Sequence, residues 1–306
     1  MTFSWIKYIP LPILQGLVAV CAFICHTFGL SIYRSITANL TLIYPDMPDN
    51  ERHALAKTIL KNQLMNTVES LRTWSMPPEW SIRQITKVHH SEILQAGFEH
   101  PNGMLLIVPH LGVWELMNAW VSQYGKLTIM YKPVKNPQID RFMRDSRERI
   151  QASLVPTDAT GVKAIFKTLK AGGFSVLLPD HVPDDSGGVV APFFGIETMT
   201  GTLATKLAAK TGCALVGLSC IKRSDGDGYE VFCYALDDER LYSKDALEST
   251  TALNEAMQAI IEPHFTHYMW GYRRFKGTPL MQNPYLLPPH ELKTLAIKLQ
   301  QRTRAS

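Results

Sequence analysis

The sequence predicts an α/β fold, with a mostly parallel or mixed central sheet flanked by helices on both faces. Short β-rich runs alternate with stretches of helical period over most of the chain, as they do in α/β proteins. Composition agrees, because 306 residues with 46% hydrophobic and 19% charged residues can bury a core without disulfides or a structural metal. The sequence shows no internal repeat, charge block or low-complexity linker, so one main domain is expected.

The predicted elements follow one another in a regular order. Strands are predicted at residues 104–108, 127–131, 175–178, 214–220 and 230–234. Helices are predicted at residues 49–76, 113–124, 137–152, 161–171, 200–211 and 247–264. The Gly- and Pro-rich stretches 179–200 and 273–289 are predicted to be irregular, and functional loops are expected there.

An uncharged apolar segment lies near the N-terminus. Residues 12–32 contain no Asp, Glu, Lys or Arg, and about 20 such residues are what a helix needs to span a bilayer core. The run is long for a signal peptide and has no clear A-x-A cleavage site, so we expect a retained N-terminal membrane-anchoring helix. A tilted helix in one leaflet, or a buried helix of a soluble domain, remains an alternative.

Charge and cysteine content narrow the functional classes. The net charge of +4 is too small to indicate nucleic-acid binding, but it is compatible with anionic lipid headgroups or phosphate-bearing substrates. The five cysteines include no C-x-x-C pair, so neither a disulfide framework nor a thiolate zinc site is predicted. Most of the chain is therefore expected to face a reducing compartment.

The most informative residues are His110 and Glu115, which follow the predicted strand 104–108. Ligands of open α/β sheets usually bind just past the carboxyl end of a strand. In one unbroken helix the two side chains would point about 140° apart, so a turn between them must bring them together. Glu115 can then orient the imidazole, leaving its other nitrogen to take a proton from a hydroxyl. Alanine at either position is expected to lower the reaction rate by orders of magnitude and leave folding intact.

These residues also carry a family resemblance. The run His110-Leu-Gly-Val-Trp-Glu115 resembles the H-x4-D/E motif of the lysophospholipid acyltransferase superfamily. Its flanks are similar to the lipid A biosynthesis lauroyl and myristoyl acyltransferase branch, where the segment usually reads H-x-G-N-W-E. Val113 replaces the usual asparagine, a departure that leaves the His-Glu pair intact.

Further motifs extend the resemblance over roughly residues 5 to 280. They are Asn39-Leu40 with Tyr44-Pro45, Tyr131-Lys132-Pro133 with Asn136-Pro137, Leu178-Pro179-Asp180-His181, Pro192-Phe193-Phe194-Gly195, and the segment from Trp270 to Lys276. Lys132 stands where the family has arginine, and His181 where it has glutamine. The two departures concern contacts to the acceptor or the carrier, because Arg and Lys grip phosphate differently.

The resemblance implies a reaction and a location. It implies transfer of a fatty acyl group from an acyl carrier protein thioester to a hydroxyl of a Kdo-bearing lipid A precursor, with no metal or organic cofactor. It places the enzyme at the cytoplasmic face of a Gram-negative inner membrane. Residues 1–32 would be the anchor and residues 33–306 the acyltransferase domain.

Three polar residues are predicted to bind substrate. Arg147 lies on the helix where the family carries a functionally important arginine; we assign it to phosphate or oxyanion contact, with a solvated helix face as the alternative. Lys132 is expected to contact the acceptor or the carrier. Asp180 follows an apolar strand, where active-site carboxylates are common, although capping of the next turn is the alternative.

Aromatic and basic residues complete the predicted substrate site. Phe193 and Phe194 are expected to wall an acyl channel, and the alternative is that they enter the core. Arg273 and Arg274 follow Trp270 in an aromatic and basic cluster that fits a lipid headgroup site, with ordinary surface charge as the alternative.

Three alternative functions are compatible with the sequence. His264 and His267, with His110 or His181, could ligate a metal in a hydrolase, although no H-E-x-x-H motif accompanies them. A lipid-binding protein without turnover is a second rival. An acyltransferase acting on a phospholipid or another glycolipid is the third.

Overall fold

The structure is a computed structural model that describes residues 3–183, 187–279 and 283–305. It divides into two compact units. The first comprises residues 1–14, 66–178 and 207–237, and the second comprises residues 15–65, 179–206 and 238–306. Residues 184–186 and 280–282, inside the two stretches predicted to be irregular, lie outside the described residues.

The helices and strands have the following bounds in chain order. The α-helices are α1 Leu11–Thr27, α2 Ser31–Ile43, α3 Asp49–Ser75, α4 Pro78–Gln84, α5 Ser91–Phe98, α6 Trp114–Val121, α7 Pro137–Arg149, α8 Ala159–Lys170, α9 Leu203–Thr211, α10 Ala246–Ile261 and α11 Pro289–Ala305. The strands are β1 Ile85–His89, β2 Met104–Ile107, β3 Leu127–Tyr131, β4 Ser153–Pro156, β5 Phe174–Leu177, β6 Gly188–Phe193, β7 Ile196–Gly201, β8 Ala214–Lys222 and β9 Tyr229–Ala235.

The first unit contains a mixed sheet with the strand order β1-β9-β8-β2-β5-β3-β4. Only the β8–β9 pair among these neighbours is antiparallel, so β1 and β9 run opposite to the other strands. All four residues of the central strand β2 are fully buried, as expected for a strand paired on both sides and covered on both faces. The predicted α/β fold is confirmed in its mixed form, with a central sheet flanked by helices.

Local sequence explains where the helices next to the site begin. Asn136 accepts hydrogen bonds from the amides of Gln138 and Ile139, and Pro137 takes the first position of α7. Asp158 caps α8 in the same way. These side chains satisfy amides that an α-helix leaves without partners at its N-terminus, so both helices begin at fixed residues.

The apolar N-terminal segment is not one helix. The chain bends by 69° between α1 and α2, and Gly29 at the break has a positive φ of 55°. In the part of the chain that the structure describes, no single helix is long and apolar enough to cross a membrane, whereas the bent pair α1 and α2 passes on length and composition. The prediction of a continuous helix over 12–32 is therefore wrong in its bounds, and anchoring stays a prediction.

Helix α1 has an apolar exposed side. Two of its aliphatic side chains, Leu14 and Val18, are buried. The exposed apolar stripe, as we call it below, consists of Ile13, Leu17, Val20, Phe23 and Ile24, and Trp5 and Tyr8 before the helix are exposed as well. Large apolar side chains at helical spacing on a surface mark an interaction with something less polar than water.

The second unit contains a hairpin that the sequence pattern did not indicate. Strands β6 and β7 pair antiparallel in a region predicted to be irregular, and their two-residue turn is Phe194-Gly195. Both turn residues have positive φ, 49° and 73°, which is the twist that a tight hairpin needs. A phenylalanine at such a position is uncommon, so the turn had no recognisable sequence signal.

Candidate active site

The turn that carries His110 is fixed to the neighbouring strand. It connects β2 to α6 at the carboxyl end of β2, and the amide of Val113 donates to the carbonyl of Cys220 in β8 at 2.9 Å. Gly112 has a positive φ of 62°, and a Cβ there would lie 2.0 Å from that carbonyl oxygen. Only glycine fits this close approach, so the turn is held in one conformation.

Glu115 lies in the first turn of α6 and is only 3% exposed. Each of its carboxylate oxygens accepts a hydrogen bond. Oε1 accepts from Arg147 at 2.9 Å, and Oε2 accepts from the Nδ2 of Asn118 at 3.0 Å. A buried carboxylate needs such partners, so these two donors hold the Glu115 side chain in one orientation.

Arg147 does not lie on a solvated helix face. Its side chain is buried, pairs with Glu115, and places its guanidinium carbon 5.0 Å from the centre of the Tyr131 ring. The Tyr131 hydroxyl donates to Asp140 at 2.6 Å. Burial and that hydrogen bond raise the pKa of Tyr131 to about 12, and the same bond is the main reason that the pKa of Asp140 is lowered. A continuous set of contacts thus leads from Glu115 to the segment after β3.

A cavity borders the Glu115–Arg147 pair. Its lining comprises Thr73, Met76, Pro78, Ser81, Glu115, Asn118, Ala119, Ser146, Arg147, Arg149 and Ile150. Arg149 donates to the carbonyl of Trp74, which ties α7 to the end of α3. Within residues 3–183, 187–279 and 283–305, the Nε of Arg147 and the Oγ of Ser81 are buried and form no hydrogen bond with the protein.

His110 is partly exposed and lies next to Trp114. Their ring centroids are 5.5 Å apart with the planes 75° inclined, an edge-to-face contact that limits the rotation of the imidazole. The sequence thus correctly places His110 and Glu115 on one short turn and helix start. The hydrogen bond between them stays a prediction.

The other predicted site residue of the first unit is Lys132. It is exposed and lies in the segment between β3 and α7, next to the Tyr131–Asp140 bond. Its contact with acceptor or carrier stays a prediction.

Asp180 and Arg274 are buried in the second unit, 0% and 1% exposed. Arg274 donates to the carbonyl of Met199 at 2.7 Å and to the hydroxyl of Thr200 at 2.6 Å. Burial, followed by the nearby Asp180 carboxylate, raises the pKa of Tyr268 well above its usual value. Ordinary surface charge, the alternative role for Arg274, is thereby wrong, and its observed contacts are internal ones.

The two phenylalanines are also in the interior of the second unit. Phe193 lies under the Arg274 guanidinium, 4.8 Å from ring centre to carbon, and Phe194 packs edge-to-face on Trp270. Their burial fits the alternative that they enter the core, and an acyl channel along them stays a prediction. Arg273 is exposed and donates to the Ser31 hydroxyl at 3.3 Å, so it retains donors for a headgroup.

Two of the resemblance motifs contact each other within the second unit. The Nδ2 of Asn39 donates to the carbonyl of Trp270 at 2.6 Å and to that of Tyr272 at 2.8 Å. Asn39 is fully buried, so its amide satisfies backbone groups that would otherwise lack partners. The motif around Asn39 therefore supports the segment that carries Arg273 and Arg274.

The metal alternative requires a cluster of ligands. His267 is half-buried, and this burial lowers its pKa. Over the described ranges, no group of three or more His, Cys, Asp or Glu side chains is placed to hold a metal ion.

Sequence reasoning missed Asn118 and Asp140. Asn118 lies three residues after Glu115 on α6, which puts both on one helix face, so spacing alone offered a signal. Asp140 accepts a hydrogen bond from Tyr131 nine residues earlier in the chain, and no local pattern indicates that contact.

Comparison with known proteins decides the family. A family model described as bacterial lipid A biosynthesis acyltransferase matches residues 1–277, which include the His110 turn, Glu115 and Arg147. The chain belongs to this family. The resemblance expected from the motifs is therefore confirmed, and this lipid A acyltransferase family member is an enzyme that transfers acyl groups.

Relatives within and around the family differ in their acyl chains and acceptors. A lipid A biosynthesis lauroyltransferase of Escherichia coli (strain K12) is 29% identical over 245 residues, covering 79% of this chain and 78% of the relative. A lipid A biosynthesis palmitoleoyltransferase of the same strain is 23% identical over 79% of this chain and 78% of the relative. A phosphatidylinositol mannoside acyltransferase of Mycolicibacterium smegmatis (strain ATCC 700084 / mc(2)155) is 27% identical over 45% of this chain and 47% of the relative.

Proposed function

We propose that this acyltransferase moves a fatty acyl group from an acyl carrier protein thioester to a hydroxyl of a lipid A precursor, with His110 as the general base and Glu115 as its orienting acid. The observation that carries the proposal is the position of Glu115. It is a buried carboxylate with a donor on each oxygen, five residues after a histidine at the carboxyl end of a central strand.

The chemistry follows from these groups. His110 takes the proton of the acceptor hydroxyl as its oxygen forms a bond to the thioester carbonyl carbon. The tetrahedral intermediate then breaks its C–S bond, and the imidazolium returns the proton to the leaving sulfur. Glu115 favours the imidazolium between these steps because a negative charge beside the ring offsets the positive charge that the ring gains.

The names of the relatives support a lipid A precursor as the acceptor. The lauroyltransferase and the palmitoleoyltransferase are both named for lipid A biosynthesis, and each aligns with about four fifths of this chain. The mannoside acyltransferase aligns with less than half of this chain. A phosphatidylinositol mannoside or a similar glycolipid is therefore the second candidate acceptor. Arg273 is exposed and offers a cation for a phosphate-bearing headgroup in either case.

The proposed place of reaction is the cytoplasmic face of the inner membrane. The exposed apolar stripe of α1, with Trp5 and Tyr8 before it, has the composition of a surface that enters the interfacial region of a bilayer. A lipid acceptor would then stay in its leaflet while its hydroxyl reaches His110.

Two measurements test the proposal. Purified full-length enzyme in lipid nanodiscs is mixed with acyl carrier protein thioester and a Kdo-bearing lipid A precursor, and thiol release is followed. His110→Ala should reduce the rate by about 10²- to 10⁴-fold. His290→Ala is the matched control, because His290 is an exposed histidine paired with Glu291 at the start of α11 and should leave the rate unchanged.

The acceptor is tested in cells. Mass spectrometry of membrane lipids from cells lacking the protein should show lipid A short of one acyl group, restored by the wild-type gene and not by the His110→Ala gene. Loss of an acyl group from another glycolipid would favour the second candidate acceptor. In the thiol-release assay, near-normal turnover by folded His110→Ala protein would refute the proposed role of His110.

A further inference from the structure

We infer that Asn118 is a positioning residue of this enzyme, which holds the second oxygen of Glu115 so that the carboxylate plane presents one fixed orientation to His110. The inference rests on the proposed function, because it assigns Asn118 a role only through Glu115. Nothing in the sequence motif requires an asparagine here, since the motif ends at Glu115.

The geometry gives Glu115 two separate restraints. Arg147 reaches Oε1 from α7, and Asn118 reaches Oε2 from the next turn of α6 itself. The terminal torsion of a glutamate is broad, so one partner on one oxygen would leave the carboxylate free to rotate. A donor on each oxygen removes that freedom.

The chemistry of the side chain fits this position. An ionised carboxylate only accepts hydrogen bonds, so its neighbour must offer a donor. Asparagine offers one without a charge, and the buried site then holds one anion and one guanidinium in balance. An aspartate of the same shape would place a second anion beside Glu115, and a leucine would offer no donor.

The surroundings keep Asn118 in place. It is 6% exposed and lines both the cavity beside Glu115 and a second, apolar cavity formed by Trp114, Met117 and neighbouring residues. Arg147 and Arg149 are the other charged side chains that line the first cavity with Glu115. The amide therefore contacts the Glu115 carboxylate from a site that solvent barely reaches.

The test compares Asn118→Leu and Asn118→Asp with wild-type enzyme in the thiol-release assay, measuring kcat and KM from pH 5 to pH 9. Asn118→Leu should lower kcat by about 10- to 100-fold and leave both KM values within about twofold, because a hydrogen bond to a charged group is lost without loss of substrate contact.

Asn118→Asp supplies an independent readout. At pH 8 its two neighbouring carboxylates repel each other, and kcat should be lower than that of wild type. As pH falls, a proton shared between them restores a donor to Glu115, so the activity relative to wild type should rise. A purely structural asparagine would give a loss that does not depend on pH.

Ser175→Ala is the matched control. It removes a buried hydrogen bond, from Ser175 Oγ to the carbonyl of Thr128, in the same unit and without contact to Glu115. It should lower the thermal midpoint and leave kcat per folded molecule unchanged.

Two results would overturn the inference: a folded Asn118→Leu enzyme with kcat within twofold of wild type, or an Asn118→Asp loss that is the same at every pH. If Asn118→Leu does not fold, the pH series of Asn118→Asp decides alone. The role of His110 is judged separately from His110→Ala, so failure of this inference is distinguishable from failure of the proposed function.

Discussion

Glu115 and Arg147 form a buried ion pair, and this changes what substitution of either residue does. Their side chains are 2% and 7% exposed, so removal of one partner leaves the other as an uncompensated charge in the interior. The sequence alone predicts that Glu115→Ala leaves folding intact. The structure shows that it should cost stability as well as activity.

A double-mutant cycle separates the two effects. Arg147→Met alone should lower the free energy of unfolding by about 3–5 kcal/mol, because Glu115 remains buried and unpaired. Glu115→Gln combined with Arg147→Met should recover most of that loss, since both charges are gone, while the enzyme stays inactive. Urea unfolding and thiol release measure the two quantities, and additive stability losses would contradict the pairing.

The Tyr131–Asp140 bond predicts a pH dependence. The pKa of Asp140 is lowered from 3.8, chiefly by the Tyr131 hydroxyl, so the bond stabilises the fold at neutral pH. This contribution is complete above about pH 3.8 and disappears as pH falls through the lowered value. Tyr131→Phe should therefore be less stable than wild type at pH 6, and the difference should shrink toward pH 2.

Carboxyl titration by NMR provides the check on that bond. The Asp140 carboxyl in Tyr131→Phe should titrate closer to its usual range than it does in the wild type. Asp238, whose pKa is lowered chiefly by its hydrogen bond with Arg240, is the reference and should titrate alike in both proteins. An unchanged Asp140 titration would refute the assigned cause.

Residue roles were only partly predictable from sequence. His110 and Glu115 could be proposed from sequence because their chemistry and their place after a strand coincide within six residues, and their roles stay predictions. Arg147 was also proposed, but its pairing with Glu115 was not predicted, because the two residues lie 32 positions apart and the pairing depends on how α7 packs. Asn118 was not predicted, although its position three residues after Glu115 on one helix face would have allowed the contact to be predicted.

At the scale of elements, the turn between β2 and α6 depends on Gly112. Alanine there would need a strained backbone at φ 62° and would push its Cβ against the carbonyl of Cys220. Gly195 offers a matched control, because it has φ 73° but no neighbouring atom within 4 Å of the point where an alanine Cβ would lie. Gly195→Ala should therefore cost about 1–2 kcal/mol for backbone strain alone.

Gly112→Ala should cost more than Gly195→Ala and should also reduce turnover, because the clash displaces the turn that carries His110. Thermal unfolding and thiol release on both variants make the comparison. Equal stability losses with normal turnover in Gly112→Ala would show that the close approach to Cys220 is unimportant.

Helix α1 carries the second prediction at this scale. Leu17→Asp with Val20→Asp places two charges on the exposed apolar stripe and should abolish flotation with vesicles of phosphatidylethanolamine and phosphatidylglycerol. Gln15→Glu is the control, since Gln15 is exposed on a different side of the helix and should leave flotation intact. Unchanged flotation of the double variant would refute membrane contact through this stripe.

Predictions of helices and strands succeeded where a strand is mostly a buried apolar run or where a helix has a long amphipathic period. The strands predicted at 104–108, 127–131 and 214–220 are confirmed within two residues, as is the helix over 49–76. β1 and β4 were missed because they are partly exposed, so neither is an apolar run. The hairpin β6–β7 was missed because its Gly and Pro residues resemble those of a loop.

At the scale of the whole molecule, charge should govern the encounter with the donor. The chain carries a net charge of +4, and Lys132, Lys135, Arg141 and Arg144 are exposed basic residues around the start of α7. An acidic carrier protein would be steered by this field, so the apparent second-order rate should fall as NaCl rises from about 50 to about 500 mM. An acyl-pantetheine donor of the same chain length should show little salt dependence, and equal dependence for both donors would contradict steering.

The fold class was predictable from the sequence, whereas the division of the chain into two compact units was not. Alternating strands and helices fix an α/β arrangement through local periodicity, which a sequence displays directly. The two units each gather segments far apart in the chain, and no composition change marks their boundaries. The assignment of residues 1–32 as an anchor and 33–306 as one domain stays a prediction.

The outermost strands of the sheet have a consequence for self-association. β4 ends in Pro156, which has no amide hydrogen, and β1 has an exposed Lys87 beside an irregular register. Free strand edges invite hydrogen bonding to other copies, and proline, lysine and bulges are the features that discourage it. Copies of the chain that meet at high local concentration, as they would on the membrane proposed above, should therefore resist polymerising through their strand edges.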